Sequence, residues 1–374
     1  MVRSGRIKKT GYFDYGMVFV IVLLLAFGMV MLYSTSSYTA SLRLGDSAYF
    51  VKRQAVFSII GLGAMYVVSR IDYHFWAKIA FMLYIGSILL VAYALVAGTS
   101  LNNSSRWIYI GPVSIQPSEI AKVAVIVFFS TLFTKAGPKL GDIRMMGKMA
   151  VFAIFISAVV AISNLSTAVI IFGIFYVMLF IASKQTRIML LIAGLVVMLV
   201  VVTLPFVSYR AMRIKIWKHP EQYEKGYQTL QGLYAIGSGG IFGKGLGESM
   251  QKQFVPEAQN DMIFSIICEE LGLFGAICIL IMFLLLLWRL LFIATHAKDQ
   301  MGSFLAIGIL VHISLQVILN VAVVTNTIPN TGITLPFISY GGSALIMLLA
   351  ELGIALSVSR KIEFDAWEEY GRES

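Results

Sequence analysis

Charge is what this sequence has least of. Asp, Glu, Lys and Arg make up 13% of its 374 residues, about half the share of a soluble globular domain. Cysteine is almost missing as well. The two present, Cys268 and Cys278, lie in one apolar stretch; ten residues apart on one helix they cannot reach each other for a disulfide, and they read as core residues. The four histidines, His74, His219, His296 and His312, have no metal-ligand spacing, and neither HExxH nor CxxC occurs. Zinc-protease and structural-zinc readings are thereby excluded. No Ser-His-Asp grouping can be defended from spacing.

What fills the chain instead is hydrophobic length: 59% of the residues are hydrophobic. A membrane-spanning helix needs about 20 apolar residues, and hydropathy marks about ten such spans, at 15–36, 54–70, 75–97, 117–135, 146–163, 166–183, 188–207, 262–292, 302–325 and 341–360. The run from Met17 to Tyr33 is too long for the core of a signal peptide and reads as the first span. The segment 262–292 is long for one crossing and is expected to tilt or to project. The expected fold is an all-α integral membrane protein, one polytopic domain over 1–374.

Lys and Arg orient it. With the amino terminus inside, inner segments and their flanking span ends hold 17 of these residues, among them Arg3, Arg6, Lys8, Lys9, Arg144 and Arg289. The short outer loops hold four: Arg43, Lys52, Arg53 and Arg106. That bias puts both termini in the cytoplasm. It also accounts for the net charge of +10 without nucleic acid as a partner.

One outer segment is far longer than the rest. Residues 208–261 carry both charge signs interleaved with aromatics, as in "YRAMRIKIWKHPEQY". So many aromatic residues argue against disorder; short amphipathic helices on the outer leaflet are expected.

Five stretches carry polar chemistry. In "SSRWIYIGPVSIQPSEIAKVAV" (104–125), Arg106 and Trp107 are expected on an outer turn, and Pro117 opens a helix with Glu119 and Lys122 on one face. Asn164 reads as a tight polar hairpin between two spans. The glycine-rich "AIGSGGIFGKGLGES" (235–249) fails the phosphate-loop spacing, since Gly245 follows Lys244 in place of Ser or Thr; what remains is a generic anion cradle with Lys244 beside it. In "FVPEAQNDMIFSIICEELG" (254–272), Asp261 stands at a span entry, either as a helix cap or as a general base whose pKa is raised by partial burial. Glu269 and Glu270 follow inside an apolar helix and need partners or a polar cavity there. "NTIPNTGITLPFISYGGSAL" (326–345) suggests a broken or re-entrant segment lining a cavity.

Taken in this order, these motifs resemble the SEDS family (shape, elongation, division and sporulation), whose members include FtsW, RodA and SpoVE. The resemblance runs from the first span to about Arg360, and the "TLP" wording at Thr334 is nearer FtsW and SpoVE. It implies a ten-helix peptidoglycan glycosyltransferase in the bacterial cytoplasmic membrane. Such a protein polymerises lipid II, an undecaprenyl-pyrophosphate-linked disaccharide peptide, at the outer face. The implied partners are a class B penicillin-binding protein transpeptidase and other division or elongation proteins. Asp261 matches the family's essential aspartate, and Arg106, Glu119 and Lys122 match characteristic polar positions. Arg210, Lys244, Glu257 and Ser339 complete the expected substrate-binding set. Ser163 to Thr167 departs from a Pro-Asp-Leu-Gly-Thr common in relatives, which weakens a carboxylate role at Asn164; Gly232 and Met262 also depart from common residues.

The residues fit that chemistry. Arg and Lys bind a pyrophosphate by charge. An α-linked donor giving a β-linked product is inverted, and inversion needs a base on the acceptor hydroxyl. The leaving pyrophosphate needs neutralisation, by a basic cluster or a divalent cation such as Mg or Mn. The rival from another class is a lipid II flippase, which needs alternating access and no outer base.

Overall fold

A computed structural model describes residues 10–97, 99–101, 104–110, 113–183, 185–203 and 208–364. Ten long helices form the bundle: α1 (Tyr15–Leu44), α2 (Tyr49–Arg70), α3 (Tyr73–Ala97), α4 (Pro117–Ala136), α5 (Ile143–Ser163), α6 (Leu165–Ser183), α7 (Thr186–Thr203), α10 (Ile263–His296), α11 (Gln300–Val324) and α12 (Gly342–Ser359). Among the described residues nine of them, all but α7, are long and apolar enough to cross a membrane. The expected span 188–207 falls on α7, and 204–207 lie outside the described residues.

Burial sorts the helices. The most apolar stretch of α12 is 72% buried and that of α4 67%, against 28% for α2 and α3. So α4 and α12 form the centre, and the others turn much of their apolar surface outward, where a bilayer takes the place of a core. Cys268 is buried, but Cys278 is exposed on α10. The expectation that both are core residues fails at Cys278, because the outward face of a spanning helix is as apolar as its inward one.

The long segment folds as expected, into short pieces. They are α8 (Ser208–Lys218), single 3-10 turns at Pro220–Gln222 and Glu224–Gly226, α9 (Tyr227–Gly239) and a last 3-10 turn at Gln251–Gln253. Two features were not expected. A small antiparallel sheet, β2 (Thr99–Leu101), β3 (Ser104–Ile110) and β4 (Val113–Ile115), joins α3 to α4, with Tyr109 opposite Ser114. The turn expected at Arg106 and Trp107 is thus a strand, as the alternation of Trp107, Tyr109 and their neighbours allows. A two-residue pair of strands, β1 (Thr10–Gly11) and β5 (Glu363–Phe364), ties the two ends of the bundle together. Beside it Arg289 binds the fully buried Asp14 at 2.7 Å.

The long α10 is two helices in one. Gly272 has φ 67° and ψ −167°, a left-handed backbone open to glycine. The break frees carbonyls and N–H groups on both sides of it, and the glycine-rich segment takes them up. Lys244 N donates to Glu269 O and Gly245 N to Glu270 O, each at 2.9 Å. In return Leu273 N and Phe274 N donate to Gly240 O and Ile241 O, each at 3.0 Å. A Cβ on Gly272 would stand 2.4 Å from Gly243 N, and one on Gly243 would stand 2.2 Å from Glu270 O. The glycines let two backbones meet. Broken helices survive at membrane depth only where such partners are supplied.

Candidate functional site

The break also explains the two buried glutamates. Glu269 is fully buried and satisfied: Lys244 Nζ lies at 2.7 Å and Ser249 Oγ at 2.5 Å, and Met250 N and Gln251 N each donate at 3.3 Å. Glu270 accepts from Ser34 Oγ of α1 at 2.6 Å and has Lys252 at 3.7 Å. The N–H groups of Lys244 and Gly245 that would have cradled an anion are bound to α10, and the Lys244 ammonium is paired with Glu269. This arrangement fastens residues 240–254 to the break.

Eight residues before Glu269, Asp261 is placed differently. It is 8% exposed and lies between the start of α10, the start of α9 and the loop 325–341. Among the described residues its carboxylate takes one hydrogen bond from another side chain, Gln228 Nε2 on Oδ1 at 3.1 Å. Gln228 is itself held by Asn330, which donates to its Oε1 at 3.1 Å. The backbone is held by Asn320, whose Nδ2 donates to Asp261 O at 2.9 Å and to Ile333 O at 2.7 Å, locking the two loops in register. Gly332, with φ 69°, comes close enough that a Cβ there would be 4.0 Å from Asp261 Oδ2. Met262 is the N-cap of α10, and no side chain caps that helix. The Asp261 carboxylate is therefore not a helix cap.

Burial pushes the Asp261 carboxyl up to about 6. Its own backbone N–H pulls it down, the charge of Glu257 raises it, and the Gln228 bond lowers it. A carboxylate with that pKa ionises near neutrality and still binds a proton well, as a general base needs.

The loops around it are strained. Among the described residues three non-glycines have positive φ: Glu257 (53°), Asn326 (54°) and Phe337 (65°). All three stand in the two loops that enclose Asp261. Such conformations cost on the order of 1–3 kcal/mol each and gather at functional sites. Glu257 is exposed and takes a hydrogen bond from Asn260 Nδ2 at 2.6 Å.

Glu119 and Lys122 form the pair that their spacing foretold, at 2.8 Å, with Lys122 only 1% exposed. Ser339 is 6% exposed; its Oγ accepts from Leu335 N at 2.8 Å and its carbonyl accepts from Gln54 at 3.3 Å. It closes the turn on which Phe337 sits. Like Glu119, it lines a cavity beneath the loop 334–341, as the proline- and glycine-rich wording there led us to expect. Arg106 stands on β3 and Arg210 on α8, and their side chains lie outside the described residues. Asn164 caps both neighbours: its N–H closes α5 and its Oδ1 accepts from Thr167 N at 3.2 Å to open α6. Of the expected set, then, the fold brings Asp261 and Glu257 together and sets Glu119 and Ser339 on the cavity, with Lys122 paired to Glu119, while Lys244 is engaged elsewhere. Among the described residues no three His, Cys, Asp or Glu side chains gather as an all-protein metal cage would need.

Sequence reading missed Gln228, Asn320 and Asn330, the amides that hold the aspartate. It also missed His312 and Glu351, buried at 2% and 1% and joined at 2.9 Å between α11 and α12. One signal was available for that pair: an ionisable residue inside an apolar span marks a site by default.

Known proteins share this fold. Residues 15–363 match the FtsW/RodA/SpoVE cell cycle protein family. Stage V sporulation protein E of Bacillus subtilis (strain 168) is 40% identical over 362 residues, covering 94% of this chain and 98% of that protein. The probable peptidoglycan glycosyltransferase FtsW of Geobacter metallireducens is 38% identical over 371 residues, covering 96% and 97%. Among solved structures, a chain of a peptidoglycan synthase complex that coordinates polymerization and crosslinking superposes with a TM-score of 0.81 at 25% identity, covering 94% of this chain and 98% of that one. The rod shape determining protein RodA of Thermus thermophilus superposes at 0.71 with 26% identity, covering 94% and 97%. With a family match over almost its whole length and relatives this similar, the chain is a multi-pass membrane protein that belongs to the FtsW/RodA/SpoVE family.

Proposed function

We propose that this chain polymerises lipid II into glycan strands at the outer face of the bacterial cytoplasmic membrane, with Asp261 as the general base. As a member of its family it is a peptidoglycan glycosyltransferase. The observation that carries the finer reading is the Asp261 carboxylate: buried, not capping the helix it precedes, held by one amide among the described residues, and pushed up to about 6. A cap would lie on the first N–H groups of α10, and a plain structural carboxylate would look like Glu269.

In the reaction the acceptor sugar hydroxyl gives its proton to Asp261. Its oxygen forms a bond to the anomeric carbon of the donor from the face opposite the pyrophosphate. The bond from that carbon to the pyrophosphate oxygen breaks, and the configuration inverts. The departing charge needs cations near the loops. Lys122, held by Glu119, Arg213 of α8 and the charges at Arg106 and Arg210 are the candidates. The apolar outer surface of the bundle keeps the lipid tail in the bilayer while the head reaches the loops. The Lys and Arg bias puts both termini in the cytoplasm and the loops 208–261 and 325–341 outside. A class B penicillin-binding protein is the fitting partner, since the similar solved chain comes from a complex that couples polymerization to crosslinking.

A flippase reading asks for alternating access and leaves a buried carboxylate of raised pKa, which caps no helix, beside strained loops without work. The test is glycan polymerisation by the purified protein from purified lipid II, alone and with a class B partner. Strands visible on a gel are expected. Transport of lipid II in vesicles with no polymer under any condition would favour the flippase.

A further inference from the structure

The buried pair of His312 and Glu351 takes no part in the mechanism above. His312 stands midway along α11 and Glu351 midway along α12. His312 Nδ1 lies 2.9 Å from both oxygens of Glu351. The imidazole is the one salt-bridge partner of this carboxylate among the described residues. Its other ring nitrogen, Nε2, is buried and has no hydrogen-bond partner among the described residues. His312 also borders the cavity lined by Glu119, Gln316, Thr334 and Ser339, whose volume of about 20 Å³ has room for one water.

Proton counting decides what Nε2 presents to that cavity. A bare carboxylate this deep in the bundle, with only a neutral imidazole beside it, is costly. A pair that carries one extra proton is neutral overall. That proton sits either on the ring, making an imidazolium that donates from both nitrogens, or on Glu351, whose O–H then donates to Nδ1. In the second case the ring's own hydrogen must be on Nε2. Both arrangements put an N–H on Nε2. The same cavity holds an acceptor, the Glu119 carboxylate, whose Oε2 already binds Lys122.

We propose that His312 is a positioning residue for the Glu119–Lys122 pair: its Nε2–H enters the cavity, and one water joins it to the Glu119 carboxylate. Glu351 fixes the ring from behind, as a second group fixes a working histidine elsewhere. The chain Glu351–His312–water–Glu119–Lys122 ties α12, α11 and α4 together beneath the loop that faces Asp261. It holds the Lys122 ammonium in one place for an anionic donor. The role of Lys122 in this statement rests on the proposed function; the state of Nε2 does not.

Two measurements test it. In full-length protein labelled with nitrogen-15, solid-state NMR at pH 7 reports His312 Nε2 directly, assigned by its loss in His312→Gln. A protonated, pyrrole-type Nε2 is expected; an unprotonated, pyridine-type Nε2 overturns the proposal whatever the enzyme does. Polymerisation is then compared in two variants with wild-type melting temperature. His312→Gln keeps an N–H and should stay within about threefold of wild type, whereas His312→Leu lacks a donor and should lose roughly tenfold to a hundredfold, the scale of a misplaced group. A stable His312→Leu protein as active as wild type overturns the positioning role. Absence of polymer from the wild type itself, with Nε2 protonated, would instead count against the function on which the role of Lys122 rests.

Discussion

Asp261 and Glu269 are both buried, both carboxylates, and stand eight residues apart, at the entry of α10 and two turns into it, yet the fold treats them in opposite ways. Glu269 is surrounded by donors: an ammonium, two hydroxyls and two backbone N–H groups. Among the described residues Asp261 has one side-chain donor and an acidic neighbour, and its loops carry the non-glycine residues of positive φ. A carboxylate that is saturated with hydrogen bonds stabilises a fold and holds its charge fast. One that is buried and under-supplied with donors is a poor strut and a good base. The difference separates the region that clamps the broken helix from the region proposed to carry the chemistry.

Removing the clamp should have the largest effect on stability. Glu269→Leu leaves Lys244, Ser249 and two N–H groups without their acceptor. Deleting one member of a buried pair costs about 3–5 kcal/mol, and the low end applies because Lys244 is 32% exposed and can turn to solvent. Thermal unfolding in detergent should show a drop of this order. A wild-type melting temperature would erase the distinction between the two carboxylates. Gly272→Ala attacks the same region through the backbone, by its positive φ and by the 2.4 Å approach to Gly243 N. A loss of about 2 kcal/mol is expected, read in the same melt.

The ten helices were legible in the sequence because a bilayer imposes a length, and 20-residue apolar runs announce it. The Glu119–Lys122 pair was legible because both residues lie on one helix at a spacing that must meet. The break at Gly272 was not, since one glycine in an apolar run does not distinguish a broken helix from a continuous one; its partner glycines lie about thirty residues earlier. Nor were the amides around Asp261, because Gln228, Asn320 and Asn330 meet only through tertiary packing. His312 and Glu351 are 39 residues apart, beyond any local pattern.

A smaller effect sharpens the contrast on the working side. The Gln228 donor favours the ionised form of Asp261, so Gln228→Leu should raise that carboxyl further. The acid limb of the pH–rate profile should move up by about half a unit. No movement of that limb would mean that the group titrating there is not Asp261.

The central claim is that Asp261 is a base and not a structural carboxylate, and Asp261→Asn tests it, measured for polymerisation and for melting temperature at pH 5 and pH 8. Its carboxyl lies near 6, above the 3.8 of an unperturbed aspartate. The folded state therefore binds the proton more tightly than the unfolded one, and the wild type loses stability as pH rises from about 4 through about 6, by up to roughly 3 kcal/mol. Asparagine carries no such penalty. The account predicts a variant whose melting temperature gains on the wild type between pH 5 and pH 8 while polymerisation falls by at least 10²–10⁴-fold, the usual worth of a general base. A stable Asp261→Asn protein that polymerises like the wild type would contradict it.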